Sequence, residues 1–237
     1  MEQKSTKLSY KKVISGVKLS LWIVWTWPMP KDTARFKIVC MKLYHCLCVI
    51  LAIGLEVPII YAIVNNIDDF SFFIDLILQQ SPIVHAIFNF IFYNTNYHHI
   101  QNVVSNMEHF CNSMKSREEV VIQRYVDKCV TFYGVISVIF YVLSGIFCIV
   151  PLILHQPFPI VFEYPFDVYH QPLRVIIYAH QGIVAFIVSG QLCLNAFAAC
   201  LLWFASARFE MLIEDLKNFT NIHQLTVCVK KHQEILA

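Results

Sequence analysis

The sequence predicts an all-α integral membrane protein with four transmembrane helices and a cytoplasmic N-terminus. Three observations lead there. First, hydrophobic residues fill 57% of the 237 positions and charged residues only 14%, against about 25% charged in a soluble domain. Second, the apolar residues fall into four blocks, each close to the roughly 20 residues a helix needs to cross a bilayer. Third, the Lys and Arg residues sit almost wholly on one side of those blocks. Helices follow rather than strands because a helix satisfies its own backbone hydrogen bonds in lipid. Residues 1–237 are expected to form a single membrane domain.

Residues 1–42 make a basic cytoplasmic lead-in. It shows no short apolar stretch followed by a small-residue cleavage site, so no secretory signal peptide is expected. The stretch "LSLWIVWTWPMPKD", from Leu19, is too short to span. Its three tryptophans and two prolines predict a segment lying at the inner-leaflet interface.

The spans are read at 43–64, 70–93, 130–154 and 175–205, with a cytoplasmic segment over 206–237. The fourth is long enough to tilt or protrude. No internal repeat is visible, which argues against an inverted-repeat transporter. Nine Lys and Arg precede or open the first span, and none separates the first from the second. Four lie between the second and third, and four follow the fourth. The loop between the third and fourth holds only Arg174, so 17 of 18 basic residues lie on one side. Cytoplasmic loops carry such an excess. The segment "EYPFDVYHQPLRVIIYAHQ", from Glu163, is therefore an outer loop running into the fourth span. The aromatics of this outer loop, Phe158, Phe162, Tyr164, Phe166 and Tyr169, suit an outer interface. The sequon at Asn218 falls on the inner side and is discounted.

Polar residues in a span usually face the bundle interior or a cavity. In the second span Asp75, Gln79, His85 and Asn89 fall within an arc of about 120°, and Gln80 lies off it. The third span has a stripe of Gly134, Ser137, Tyr141, Ser144, Gly145 and Cys148. The fourth has Tyr178, Gln181, Gly182, Ala185 and Ser189. Two readings stand side by side. One is close helix packing through small residues. The other is a pocket shared by the second, third and fourth spans, lined by Phe72, Phe73, Leu76, Gln79, Tyr141, Ser144, Cys148, Tyr178, Gln181 and Phe186. That lining suits a small, uncharged, mostly apolar ligand. Glu56, in the first span, needs a partner or a proton there, and Arg174 in the outer loop is the cation the sequence offers.

Enzyme chemistry is absent from the sequence patterns: no HExxH, GxSxG, P-loop or Rossmann glycines. No cofactor is expected. His98, His99, His109 and Cys111 fit no standard zinc spacing. The nine cysteines form no CxxC pair and read as small buried hydrophobes without a disulfide framework. Topology accounts for the basic loops, so no nucleic-acid partner is expected.

Several features together resemble the insect odorant receptors of the seven-transmembrane olfactory type. They are the inside N-terminus with its tryptophan-containing lead-in, and the signature "YPFDVYHQPLRVIIYAHQG" with Pro165, Asp167, Pro172, Tyr178 and Gln181. The segments "RFEMLIEDLKN" from Arg208 and "CVKKHQEIL" from Cys228 complete the match. The resemblance implies an odorant-gated cation channel in the plasma membrane of sensory neurons. It implies a heteromer with a shared co-receptor, contacts with membrane lipid, and a small volatile ligand held between helices two, three, four and six. It also implies seven spans with the pore lined by the last, of which this stretch would supply the first four and no pore helix. A gustatory receptor of the same superfamily and a truncated remnant are the alternatives. A G-protein-coupled receptor would need the opposite orientation.

Overall fold

The computed structural model describes residues 10–160, 164–218 and 220–236. Phe162, expected at the outer interface, lies outside them. Among the described residues the chain forms seven helices. They are α1 (Tyr10–Ser20), α2 (Arg35–Asn65), α3 (Phe70–Thr95), α4 (Tyr97–Ser113), α5 (Ser116–Ile153), α6 (Leu173–Lys217) and α7 (Ile222–Leu236). Four of them, α2, α3, α5 and α6, are long and apolar enough to cross a membrane. Each of the four apolar blocks falls within one of these helices, with Leu154 as the C-cap of α5.

Local chemistry sets the breaks. Asp69 caps α3, its carboxylate accepting from the Ser71 and Phe72 amides at 3.1 Å each. At the α4–α5 joint, Glu118 reaches back to the Lys115 amide at 2.8 Å. α6 begins directly after Pro172, as a helix start tolerates.

With 38 and 45 residues, α5 and α6 extend about 57 and 68 Å. Both exceed a hydrocarbon core of about 30 Å. The surplus lies at their basic ends, where the start of α5 meets the end of α6. Arg117 pairs with Glu214 at 2.7 Å and Arg124 with Glu210 at 2.5 Å. Lys231 of α7 ties back to Asp215 at 2.6 Å. These exposed pairs set register and contribute little stability, because solvent screens them.

The helix α6 is central. Its Cys193 and Phe197 join Val17, Leu21, Val104 and Tyr133 in one core, from α1, the segment just after it, α4 and α5. Its Val184 joins Ala52, Leu55, Ile59, Leu76 and Ile83 of α2 and α3 in another.

The lead-in departs from the interfacial placement expected of it. Leu21 and Val24 are fully buried, and Thr26 nearly so. The cause is backbone accounting. The α1 helix ends at Ser20, and Pro28 and Pro30 keep a helix from re-forming, so carbonyls here need other partners. Side chains of the bundle supply them. Tyr141 donates to the Ser20 carbonyl at 2.5 Å and Tyr44 to that of Ile23 at 2.5 Å. His45 Nε2 lies 3.1 Å from the Val24 carbonyl and 3.2 Å from that of Trp25. Gln101 donates to Met29 at 2.7 Å. The Ser20 and Tyr133 hydroxyls also share a hydrogen bond. Trp22 remains exposed, so part of the aromatic stretch still faces outward while its backbone is wedged into the bundle.

The small-residue stripes separate into two kinds. A Cβ added at Gly134 or Gly145 would meet nothing within 4 Å, so these glycines are not packing points in this chain. The close approaches are on α6. A Cβ at Gly182 would lie 3.2 Å from Cys148 Sγ, and one at Gly190 would overlap the Val24 side chain.

Candidate ligand cavity

Between α3, α5 and α6 lies a cavity of about 360 Å³. On α3 it is lined by Gln79, Pro82 and Ile83, and on α5 by Phe140, Leu143, Ser144 and Phe147. On α6 the lining is Gln181, Val184, Ala185, Val188, Ser189 and Leu192. Leu55 of α2 closes the back and Ile160 the loop end. No charged side chain among the described residues lines it. Pro82 has no amide hydrogen, so the Leu78 carbonyl lacks its ladder bond one turn away.

Of the ten residues expected to line a pocket, Gln79, Ser144 and Gln181 do so, each from a different helix. The other seven are placed elsewhere. Leu76 is buried against α2, with Phe72 packed beside it. Phe73 and Phe186 are half-buried outside the lining. Tyr141 holds the lead-in and lines a wider groove between α1 and α5. Tyr178 donates its hydroxyl to the Cys148 carbonyl, and the Cys148 thiol faces Gly182. These tyrosines and the thiol serve helix packing.

Three of the four polar residues in the lining are already engaged. Ser144 donates to the Ala185 carbonyl at 3.1 Å and meets Ser189 Oγ at 2.5 Å. Ser189 donates to the Phe140 carbonyl at 3.1 Å. Gln181 clamps the loop between α5 and α6. Its Oε1 accepts from the Ile160 amide at 2.9 Å, and its Nε2 donates to the Ile160 carbonyl at 3.1 Å and to the Tyr164 hydroxyl at 3.2 Å. Only Gln79 differs: its Oε1 is buried and has no hydrogen-bond partner among the described residues.

The loop clamp gives a test. Gln181→Leu removes three hydrogen bonds while keeping the side chain's bulk. It is expected to raise cleavage of the 155–172 loop severalfold when protease is added from the loop side of sealed vesicles. Unchanged cleavage would show that the apolar contacts of Phe158 and Val168 hold the loop without it.

The signature residues Pro165, Asp167 and Pro172 lie in that loop rather than at the cavity. Asp167 accepts from the Tyr169 amide at 2.9 Å and pairs with His170 at 2.9 Å, shaping the turn into α6. Glu56 does not pair with Arg174 among the described residues. Its Oε2 accepts from Gln80 of α3 at 2.8 Å. This also explains why Gln80 lies off the polar face of α3: it points at α2. His85 and Asn89 lie outside the cavity and join Asn195 of α6 through contacts of 2.6 and 3.2 Å.

Among the described residues no group of three or more His, Cys, Asp or Glu could hold a metal ion. Burial and the neighbouring Glu108 carboxylate push the Cys111 thiol up to about 11, so the free side chain stays protonated at neutral pH.

Four helices long and apolar enough to cross a membrane define a polytopic helical membrane protein, with a ligand-sized cavity among them. The family profile described as "7tm Odorant receptor" matches residues 82–237. The chain belongs to this odorant receptor family. Its fold is similar to that of the insect olfactory receptor OR5 from Machilis hrabei, at TM-score 0.69 and 14% identity, covering 95% of this chain and 62% of that one. The structure of the same receptor in complex with eugenol matches at TM-score 0.72 and 14% identity, covering 96% and 64%. The chain thus spans under two thirds of the length of those receptor chains. No curated protein matches it.

Proposed function

We propose that this chain is the ligand-binding part of an odorant receptor subunit, and that it takes small volatile apolar molecules into the α3–α5–α6 cavity. The cavity itself carries this reading. Its volume of about 360 Å³ lies at the small end of the roughly 300–1,000 Å³ typical of ligand sites. Its apolar, uncharged walls favour neutral ligands, because an ion would lose its hydration without gaining a partner. The similar receptor OR5 was solved in complex with eugenol, which supports small-molecule binding here. The N-terminus is cytoplasmic in this reading, on the 17-to-one distribution of basic residues. The receptor acts in the plasma membrane of sensory neurons. It assembles with a co-receptor as a cation channel whose pore helix follows the four spans seen here.

The test is odorant-evoked cation current from the receptor containing this chain, co-expressed with a co-receptor. Val188→Trp adds an indole to the α6 side of the lining. It is expected to abolish currents to every active odorant while surface expression stays near wild type. Currents that survive Val188→Trp at unchanged sensitivity would move the ligand site away from this cavity.

A further inference from the structure

We infer that Gln79 is the specificity-determining polar group of the cavity, and that its ligands carry one hydroxyl or carbonyl on an otherwise apolar skeleton. This rests on reading the cavity as the ligand site. It follows from elimination among the four polar side chains that line it. Ser144 and Ser189 have two hydroxyl protons between them. Both are directed to each other or to the Ala185 and Phe140 carbonyls. Both N–H groups of Gln181 and its oxygen are held by Ile160 and Tyr164. A ligand that drew on any of these would have to break an existing bond.

Gln79 has nothing to break. Its buried Oε1 lacks a partner among the described residues, and a carboxamide adds two N–H donors on the same group. The adjacent Gln80 turns to the Glu56 carboxylate on α2, so it does not compete for the cavity. The accessible end is the amide nitrogen: a ligand hydroxyl or carbonyl oxygen accepts from it. Oε1 itself is shielded and meets a ligand donor only if the carboxamide turns, which would also relieve the cost of a buried atom without a partner. A pure hydrocarbon offers neither acceptor nor donor and must also cover the carboxamide. The walls around this single anchor are Leu143, Phe147, Val188 and Leu192. Such walls discriminate weakly by size, roughly 10–200-fold per methylene, so functional-group choice falls to Gln79.

The probes are octanol, octanone and octane, compared by ligand-dependent thermal stabilisation of the purified protein in lipid nanodiscs. Wild type is expected to bind octanol and octanone about tenfold more tightly than octane, one net hydrogen bond's worth. In Gln79→Leu and Gln79→Met that ratio is expected to fall to about one, with octane binding kept or improved. Melting in the absence of ligand reports whether each variant folds, and the near-isosteric Met variant guards against a packing defect in the Leu variant. If wild type binds octane as tightly as octanol, or if the variants keep the preference, the role given to Gln79 is wrong while the cavity stands. If Val188→Trp binds all three as wild type does, the cavity reading itself falls.

Discussion

Gly190→Val is expected to destabilise the protein by about 3 kcal/mol, the upper part of the range for overpacking a filled core. A Cβ at this position would overlap Val24 Cγ1 and lie within 2.9 Å of Cγ2 and 3.2 Å of the Val24 Cβ. Valine is stiff at χ1 and has no flexible end to swing away. Nor is its backbone free to retreat, because the Val24 and Trp25 carbonyls face His45 and the Ile23 carbonyl is held by Tyr44. Two companion variants make the mechanism visible. Val24→Ala removes the two overlapping methyls and is expected to recover most of the loss in the double variant. Gly134→Val, where an added Cβ meets nothing within 4 Å, is expected to melt within about 0.5 kcal/mol of wild type, as surface changes do. Thermal melting of the purified protein decides it. A Gly190→Val protein as stable as wild type, or a double variant no better than the single, would mean that the lead-in is not packed against α6.

This contact also shows where sequence reasoning stopped. The four long helices were legible because apolar runs of spanning length have few other solutions in lipid, and α2, α3, α5 and α6 each contain one. The burial of the lead-in was not. Its tryptophans and prolines look the same on a membrane surface as in a bundle, and the distinguishing feature is a glycine some 166 residues away on α6.

The cavity divides in the same way. Gln79, Ser144 and Gln181 were legible because a polar side chain within an apolar helix has reason to face inward. Tyr141, Cys148 and Tyr178 share that property but face neighbouring helices and the lead-in, a choice set by crossing geometry. Leu143, Phe147 and Val188 were not legible, since a leucine, phenylalanine or valine in a span serves equally against lipid or against a ligand. The partner of Glu56 was misassigned for a related reason. Charge complementarity pointed to Arg174, whereas burial with a neutral carboxamide from the adjoining helix needs no second ion to be dehydrated.

His45→Leu is expected to cost about 3–5 kcal/mol and to loosen the lead-in before the rest of the bundle. The ring is fully buried on α2. Its Nε2 faces the Val24 and Trp25 carbonyls at 3.1 and 3.2 Å, and its Nδ1 lies 3.1 Å from Asn94 Oδ1. Leucine fills similar space but offers no donor. Two carbonyls of the non-helical lead-in would then be buried without partners, each worth about 1–3 kcal/mol, in a part of the chain where water is scarce. The lead-in can escape this by peeling away from α2, which the helices cannot do. Amide hydrogen exchange over residues 21–29 is therefore expected to accelerate well beyond the change seen in α5 and α6. His45→Gln, which keeps one donor in reach, is expected to recover part of the protection. Exchange that rises uniformly across the bundle would make His45 an ordinary core residue. Exchange that does not rise at all would mean that Tyr44, Tyr141 and Gln101 hold the segment without it.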